Sequence, residues 1–261
     1  MRSLNIAATG MLAQQLNVEV ISNNIANVNT TAFQRRRADF QDLLYQSVRR
    51  VGSTSSSDGT IVPSGVQVGL GVKTGAVYRI TEQGNLVSTD NTFDIAIKGK
   101  GYFQVDLPSG DTAYTRGGAF QLSPQGKIVT KDGFTVQPGI TIPSNAVDVT
   151  INDSGQVLVT IQGQVTPTNV GQIDLATFAN DAGLEAIGDS LFIETPASGA
   201  ASTGVPGSTG YGKTLQGFLE TSNVNIVSEI TNLITAQRAY ELNSRVIQAS
   251  DDMMQTLTNL R

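Results

Sequence analysis

Apolar residues recur every seven positions at both ends of the chain. Near the start, Leu4, Met11, Val18 and Ile25 set one line, and Ala7, Ile21 and Val28 set a second, with Gln14 its one polar exception. Near the end, Ile226, Leu233, Tyr240, Ile247 and Met254 repeat the interval, and Ile230, Val246, Met253, Leu257 and Leu260 widen the stripe. A seven-residue apolar repeat is the spacing of helices that pack along a coiled-coil seam. The segment from about 224 to 260 holds neither Gly nor Pro, so it predicts one helix about 50 Å long at 1.5 Å per residue. Ser222 or Asn223 is the expected N-cap, since a short polar side chain there accepts a hydrogen bond from an otherwise unpaired helical N–H.

From about 60 to 220 the period changes to two. Runs such as "FDIAIKG" (93–99), "GYFQVDL" (101–107), "DVTIN" (148–152) and "QVLVTIQG" (156–163) alternate apolar and polar residues. Turn signals separate them: "TEQGN" (81–85), "LPSGD" (107–111), "SPQGK" (123–127), "TKDGF" (130–134) and "NDSGQ" (152–156). Short strands joined by Gly-containing turns predict antiparallel hairpins. "ASGAASTGVPGSTGYG" (197–212) reads as a low-complexity loop, and the Gly/Ser/Thr-rich 46–63 as a loop or flexible arm.

The helical ends therefore bracket a β-rich middle. The expected fold class is α+β: N- and C-terminal helices pairing as a coiled coil, with inserted antiparallel all-β domains. The expected boundaries are 1–45 with 222–261 for a discontinuous helical domain, 46–93 with 205–221 for a connecting arm and small β domain, and 94–204 for an outer β domain. Each stripe is long enough to leave apolar positions over after the two helices meet. Those positions are candidates for contact with further molecules.

One stretch does not fit an ordinary amphipathic helix. "VISNNIANVNTTAF" (20–33) carries Asn23, Asn24, Asn27 and Asn29 within an apolar stripe. Asn is a poor helix former because its amide competes for nearby backbone groups. Asn27 and Asn29 are expected to stop the helix and turn the chain, since Asn tolerates left-handed backbone. Asn23 and Asn24 are expected to bond neighbouring copies.

Composition narrows the chemistry. The 261 residues include no Cys, His or Trp. That removes thiol nucleophiles, disulfides, cysteine-ligated zinc, and the usual general base and metal ligand near neutral pH. Charged residues make up 15 %, against about 25 % in ordinary domains, so Ser, Thr, Asn and Gln must carry much of the surface. A net charge of −5 and a pI near 4.7 argue against nucleic acid as a partner. No apolar run approaches the roughly 20 residues that span a bilayer. "MRSLNIAATGMLAQQL" is too interrupted for a secretory h-region, so no cleaved signal peptide is expected.

Three motifs invite chemical readings. "GSTGYGKT" (207–214) satisfies the phosphate-loop pattern, which would set Lys213 on a phosphate and Thr214 on Mg²⁺. That function needs a strand before the loop and a helix after it. Neither is expected here, with Gly217 standing where the helix should run. Asp148, Asn152 and Asp153 resemble part of a calcium loop without its closing glutamate, which favours a hairpin turn. Arg35, Arg36, Arg37, Arg49 and Arg50 form a basic patch, read as a solvated helix face or a subunit contact. A β-rich carbohydrate-active enzyme is the rival class, with few aromatics to line a sugar groove. No cofactor or metal and no small-molecule substrate is expected.

"SNNIANVNTTAFQRRRADFQDLL" (22–44) closely resembles the N-terminal signature of the bacterial flagellar rod and hook proteins. "GNLVSTDNTFDIAIKGKGYFQV" (84–105) and "YTRGGAFQLSPQGKIVTKDGFTVQ" (114–137) resemble the β region of that family. "QGFLETSNVNIVSEITNLITAQRAYELNSRVIQASDDMM" (216–254) resembles its closing helix. Hook members are longer, and residues 43–72 look like the insertion of a distal-rod type of subunit. A sister rod protein of similar size is the alternative.

The resemblance implies a non-enzymatic subunit of the flagellar basal body. Copies would polymerise helically into a hollow, periplasm-spanning drive shaft that transmits torque from motor to hook. Proximal rod proteins would lie below it, hook and hook-cap proteins above, and peptidoglycan and outer-membrane ring proteins around it. Export would use the flagellar type III apparatus. The implied polymer interface comprises Leu4, Met11, Val18, Ile21, Asn23, Asn24 and Ile25 with Ile226, Leu233, Tyr240, Ile247 and Met254. An arm marked by Arg49, Arg50, Ser55, Asp58 and Pro63 would reach between subunits and stiffen the rod.

Overall fold

A computed structural model describes residues 2–49, 64–164 and 166–259. It is α+β, and the chain divides into two compact units. The first comprises residues 1–26, 36–78 and 225–261, and the second 27–35 and 79–224. A fold whose first and last segments share one unit is what helical ends around a β insertion require.

The first unit is built on two helices, α1 (Arg2–Ala26) and α2 (Ile226–Asn259). They run antiparallel. Ser250 Oγ donates to Ser3 Oγ at 3.3 Å, Gly10 faces the Asn243 amide, and Asn24 Nδ2 donates to Glu229 Oε2 at 3.3 Å. These pairs keep a constant register, so α1 residues spaced by seven meet α2 residues spaced by seven. Asn225 rather than Ser222 or Asn223 caps α2: its Oδ1 accepts from Ser228 N–H at 3.2 Å. Asn223 is used elsewhere, accepting from Arg35 N–H and donating to the Ile80 and Glu82 carbonyls in the second unit.

The 36–49 stretch is not helical. Strand Arg36–Asp42 pairs with Val72–Arg79, and Tyr45–Arg49 pairs antiparallel with Val66–Gly69. The second pair is a two-stranded ribbon in which Leu44, Tyr45, Val48 and Val66 all face solvent. Thr9 Oγ1 accepts from Val72 N–H at 3.3 Å and ties α1 to the return strand. Gly71, at φ 123°, permits that approach, because a Cβ there would collide with the Thr9 hydroxyl.

The second unit is antiparallel β throughout its registered pairs. Its largest sheet centres on Tyr102–Asp106, flanked by Thr112–Thr115, Thr135–Val136 and Leu175–Thr177. A three-stranded sheet (Ala146–Ile151, Gln156–Ile161, Thr168–Gln172) packs its Val149, Ile151, Val157 and Val159 into the same core as Phe103, Val136 and Leu175. Alternation sends Tyr102 to the opposite face, where it meets Tyr114, Phe178 and Phe192. Strands Lys213–Gln216 and Phe218–Glu220 bring the chain back against Ile95–Lys98 and Leu86–Ser88, which closes the insertion.

The expected hairpin turns are present at 107–111, 123–127 and 130–134. The "NDSGQ" turn is one as well. Asn152 Oδ1 accepts from the Ser154 and Gln156 N–H groups, and Gly155 takes φ 76°. "TEQGN" instead leads from the Val72–Arg79 strand into Leu86–Ser88, with Gly84 N–H held by Glu220.

Candidate assembly surface

The α1–α2 seam mixes small and polar side chains with Val20 and Ile21. On α2 the buried positions are Glu229, Ala236 and Ser250. On α1 they are Ala7, Ala13, Val20, Ile21 and Asn24. The register sets Asn17 level with Ala236 and Gly10 against Asn243. A Cβ on Gly10 would lie 2.9 Å from Asn243 Nδ2. A mid-helix glycine costs about 1 kcal/mol against alanine, and close helix approach is the compensating gain.

Asn24 anchors the seam at one end. It is 1 % exposed. Its Oδ1 accepts from Arg36 N–H and its Nδ2 donates to Arg36 C=O, both at 2.8 Å. One amide thus mimics a strand partner for the backbone and also donates to the buried Glu229 carboxylate. Glu229 lies in the first turn of α2, where the helix dipole favours negative charge. The expectation that Asn24 bonds a neighbouring copy therefore gives way to a role inside its own chain. Asn23 lies on the exposed side of α1.

The remaining interface candidates sit around this seam. Ile21 is buried in it, while Leu4, Met11, Val18, Ile25, Leu233, Ile247 and Met254 are half-buried beside it. Ile226 and Tyr240 are exposed. Further large apolar side chains point away from it: Leu12 is 66 % exposed and Val227 75 %, with Leu242 and Met253 similar. The Leu4 line of α1 thus marks a flank of the hairpin, whereas Ala7 and Ile21 of the second line are buried in the seam. On α1 the line of closest approach, through Ser3, Gly10, Asn17 and Asn24, is offset by one residue from Leu4, Met11, Val18 and Ile25; on α2 it runs through Glu229, Ala236, Asn243 and Ser250, four residues before Leu233, Tyr240, Ile247 and Met254. The α1 line also recurs every seven positions, and a search for small residues at that interval would have found it.

Of the proposed arm, Arg49 ends the exposed strand Tyr45–Arg49. Arg50, Ser55, Asp58 and Pro63 lie outside the described residues, as does Leu260. Arg35 forms an ion pair with Glu82 at 3.2 Å, and Arg36 and Arg37 are exposed on a strand rather than a helix. The chain turns after α1 as expected, with Asn27 accepting from Thr30 through backbone and side chain. The left-handed residue is nevertheless Ala32, at φ 57° and buried, with its N–H on Glu220 C=O.

Unanticipated by the sequence reading is a buried ion pair in the second unit. Arg116 Nε donates to Glu220 Oε2 at 2.9 Å, and its other nitrogens reach the Gly99 and Gly101 carbonyls. Glu220 Oε1 accepts from Gly84 N–H. Every strong donor and acceptor of this pair is matched, the condition under which a buried pair persists. The pair fastens the closing strand to the strands it returns to.

The phosphate-loop pattern resolves into ordinary β structure. Residues 207–212 form a turn and Lys213–Gln216 a strand, so no helix N-terminus faces the loop. Thr214 is buried with its hydroxyl on Asn152 C=O, and Lys213 lies 3.6 Å from Asp153. Among the described residues no group of His, Cys, Asp and Glu is arranged to hold a metal. None of the described helices is long and apolar enough to cross a membrane.

A helix hairpin with apolar side chains left outside, formed by the two ends of a chain whose middle is β, is the build of an assembly subunit. Comparison with known proteins gives that class its family. Residues 4–34 match the model of the flagella basal body rod protein, 96–159 that of the flagellar hook protein FlgE/F/G D1 domain, and 215–260 that of the flagellar basal body rod FlgEFG protein C-terminal segment. The chain belongs to the flagellar basal-body rod protein family, a family of structural subunits and not of enzymes.

Among its relatives, the flagellar basal-body rod protein FlgG of Caulobacter vibrioides is 64 % identical over the whole of both chains. The protein of that name from Agrobacterium fabrum is 53 % identical over 97 % of each, and that from Buchnera aphidicola subsp. Schizaphis graminum 50 % over 99 % of each.

Proposed function

We propose that this chain is the distal rod subunit, polymerising helically into a hollow shaft that carries torque from motor to hook. What carries the reading is the helix hairpin, whose seam is satisfied internally while Leu12, Val227, Leu242 and Met253 remain exposed. Isolated apolar side chains are ordinary on a surface, but a set spread along two helices is a contact face. Leu4, Met11, Val18, Ile25, Ile226, Leu233, Tyr240, Ile247 and Met254 extend that face, with Asn23 at its margin. The contacts are heterologous, the kind that generates an open helix rather than a closed ring. In the polymer the two helices wind as a short antiparallel coiled coil. The three-part division of the β insertion into an arm, a small inner domain and an outer domain belongs to this reading.

The shaft spans the periplasm. It meets proximal rod proteins below, hook and hook-cap proteins above and ring proteins around it, and its subunits leave through the flagellar type III apparatus. The ribbon of Tyr45–Arg49 and Val66–Gly69 is the root of the stiffening arm. A lone two-stranded ribbon is marginal in water, and Leu44 is 82 % exposed on this one, so it needs a neighbour's surface. The test is sedimentation velocity and negative-stain microscopy of the full chain over a concentration series. It is set against a variant with Leu12→Ser, Val227→Ser, Leu242→Ser and Met253→Ser. Filaments from the first alone support the reading; equal behaviour of the two overturns it.

A further inference from the structure

The helix hairpin carries a notch of about 490 Å³ lined by Gln15, Val18 and Glu19 of α1 and Gln237, Tyr240 and Glu241 of α2. Its floor is the half-buried Val18 and the exposed ring of Tyr240, and carboxylates stand on both sides. Gln15 Nε2 donates to Glu19 Oε1 at 3.1 Å, which holds that carboxylate at the rim. Neither Glu19 nor Glu241 has an ion pair within 4.0 Å among the described residues.

The same helix carries two guanidiniums in the same condition. Arg238 and Arg245 are exposed, seven residues apart, and without an ion pair among the described residues. At 100° per residue they lie about 200° from the seam line of Ala236 and Asn243, whereas Tyr240 lies only about 40° from it. The Val18 and Tyr240 floor of the notch and the basic stripe therefore occupy different faces of the hairpin, and Glu241, three residues from Arg238 and four from Arg245, stands on the rim between them. A heterologous contact needs this pairing of two unlike surfaces on each copy.

We infer that the notch receives the α2 basic stripe of a second copy, with Arg238 or Arg245 set between Glu19 and Glu241 and its methylenes against Tyr240. An arginine suits both halves of the site, because its stem packs on apolar surface and its planar fork bonds carboxylates and stacks on rings. On a chain of net charge −5, an acidic rim rejects most of its own surface and accepts this stripe, which fixes register. The inference rests on the polymer reading and names the contact within it.

The test expresses full-length chains in cells deleted for their own copy, reading swimming and the rods of isolated basal bodies by electron microscopy. Glu19→Arg with Glu241→Arg, and separately Arg238→Glu with Arg245→Glu, are each expected to lose rods and swimming. Circular dichroism of each purified variant checks that helical content matches the wild type. Both variants in one cell are expected to regain rods, since each notch then meets a stripe of opposite sign. Co-expression alters no intrachain pair, so only a contact between copies explains that rescue. Wild-type swimming by either variant alone overturns the inference, as does failure of the co-expressed pair. Wild-type chain that builds no rod overturns the polymer reading itself, and the inference with it.

Discussion

Asn24→Leu separates an internal anchor from a surface contact. The substitution removes three hydrogen bonds, two to the Arg36 backbone and one to Glu229 Oε2. It sets an alkyl group against the buried Glu229 carboxylate. A buried group left unpaired costs about 1–3 kcal/mol, more when charged, and water reaching the exposed Arg36 offsets part of this. The expected loss is about 3 kcal/mol, more than a hundredfold in the folding equilibrium at 1.4 kcal/mol per decade. Asn23→Leu, on the exposed side of α1, should lose clearly less.

The assay is denaturant unfolding followed by circular dichroism at the helical band. α1 and α2 hold 25 and 34 residues, so that signal reads the hairpin. Asn24→Asp gives a second check. It places a second carboxylate beside Glu229 and cannot donate to the Arg36 carbonyl, so it should lose at least as much as Asn24→Leu. Coincident midpoints for Asn23→Leu and Asn24→Leu would refute the anchor.

Gly10→Ala should be close to neutral, since gained helix propensity offsets a small shift of the Asn243 amide, while Gly10→Leu should lose about 1–3 kcal/mol by overpacking in the same unfolding assay. Arg116→Met should cost the second unit about 3–5 kcal/mol by stranding the Glu220 carboxylate, and Arg116→Met with Glu220→Leu should cost clearly less, measured by loss of tyrosine near-ultraviolet dichroism on heating. Burial raises the phenol pKa of Tyr102 and of Tyr114, with Glu194 adding to the shift at Tyr114. A folded pKa above the unfolded value of 10.0 means the native state holds its proton longer, so both contribute stability below pH 10 that is lost as pH rises beyond it. Phenolate absorbance should show these two ionising late in the folded chain and in step with the other tyrosines in denaturant.

Features set by local spacing were legible in the sequence. The Gly-free, Pro-free run after residue 224 became α2, and Asn152 with Gly155 became a hairpin turn, because the causes sit within a few residues of the effect. The caps and the bend were harder. Asn223 has the chemistry of an N-cap, yet it bridges Arg35, Ile80 and Glu82, partners that only the fold brings near. Ala32 is left-handed and buried with its N–H on Glu220 C=O, a partner far along the chain that no local propensity anticipates. Arg116 and Glu220 are 104 residues apart, and nothing local to either announces the pair. On α1 the Leu4 line missed the closest approach by one residue for a related reason, while Ala7 and Ile21 of the second line are buried in the seam. Counting large apolar side chains finds surfaces that can be buried, whereas closest approach is set by small ones.

The placement of small residues on the line of closest approach has a functional sense. Had Leu4, Met11, Ile247 and Met254 filled the seam, the hairpin would have buried its apolar surface within one chain and left little to drive association. With Gly10, Asn17, Ala236 and Ser250 on the inside, the seam gains specificity from hydrogen bonds and close fit while the apolar surface stays on the flanks. Burial stabilises by about 25 cal/mol per Å² wherever it occurs, so moving it from inside the chain to between chains lowers the stability of the single copy and raises that of the assembly. In the proposed polymer, both shifts favour the assembly over the single copy. The small-residue seam and the exposed apolar flanks are then two consequences of the same placement.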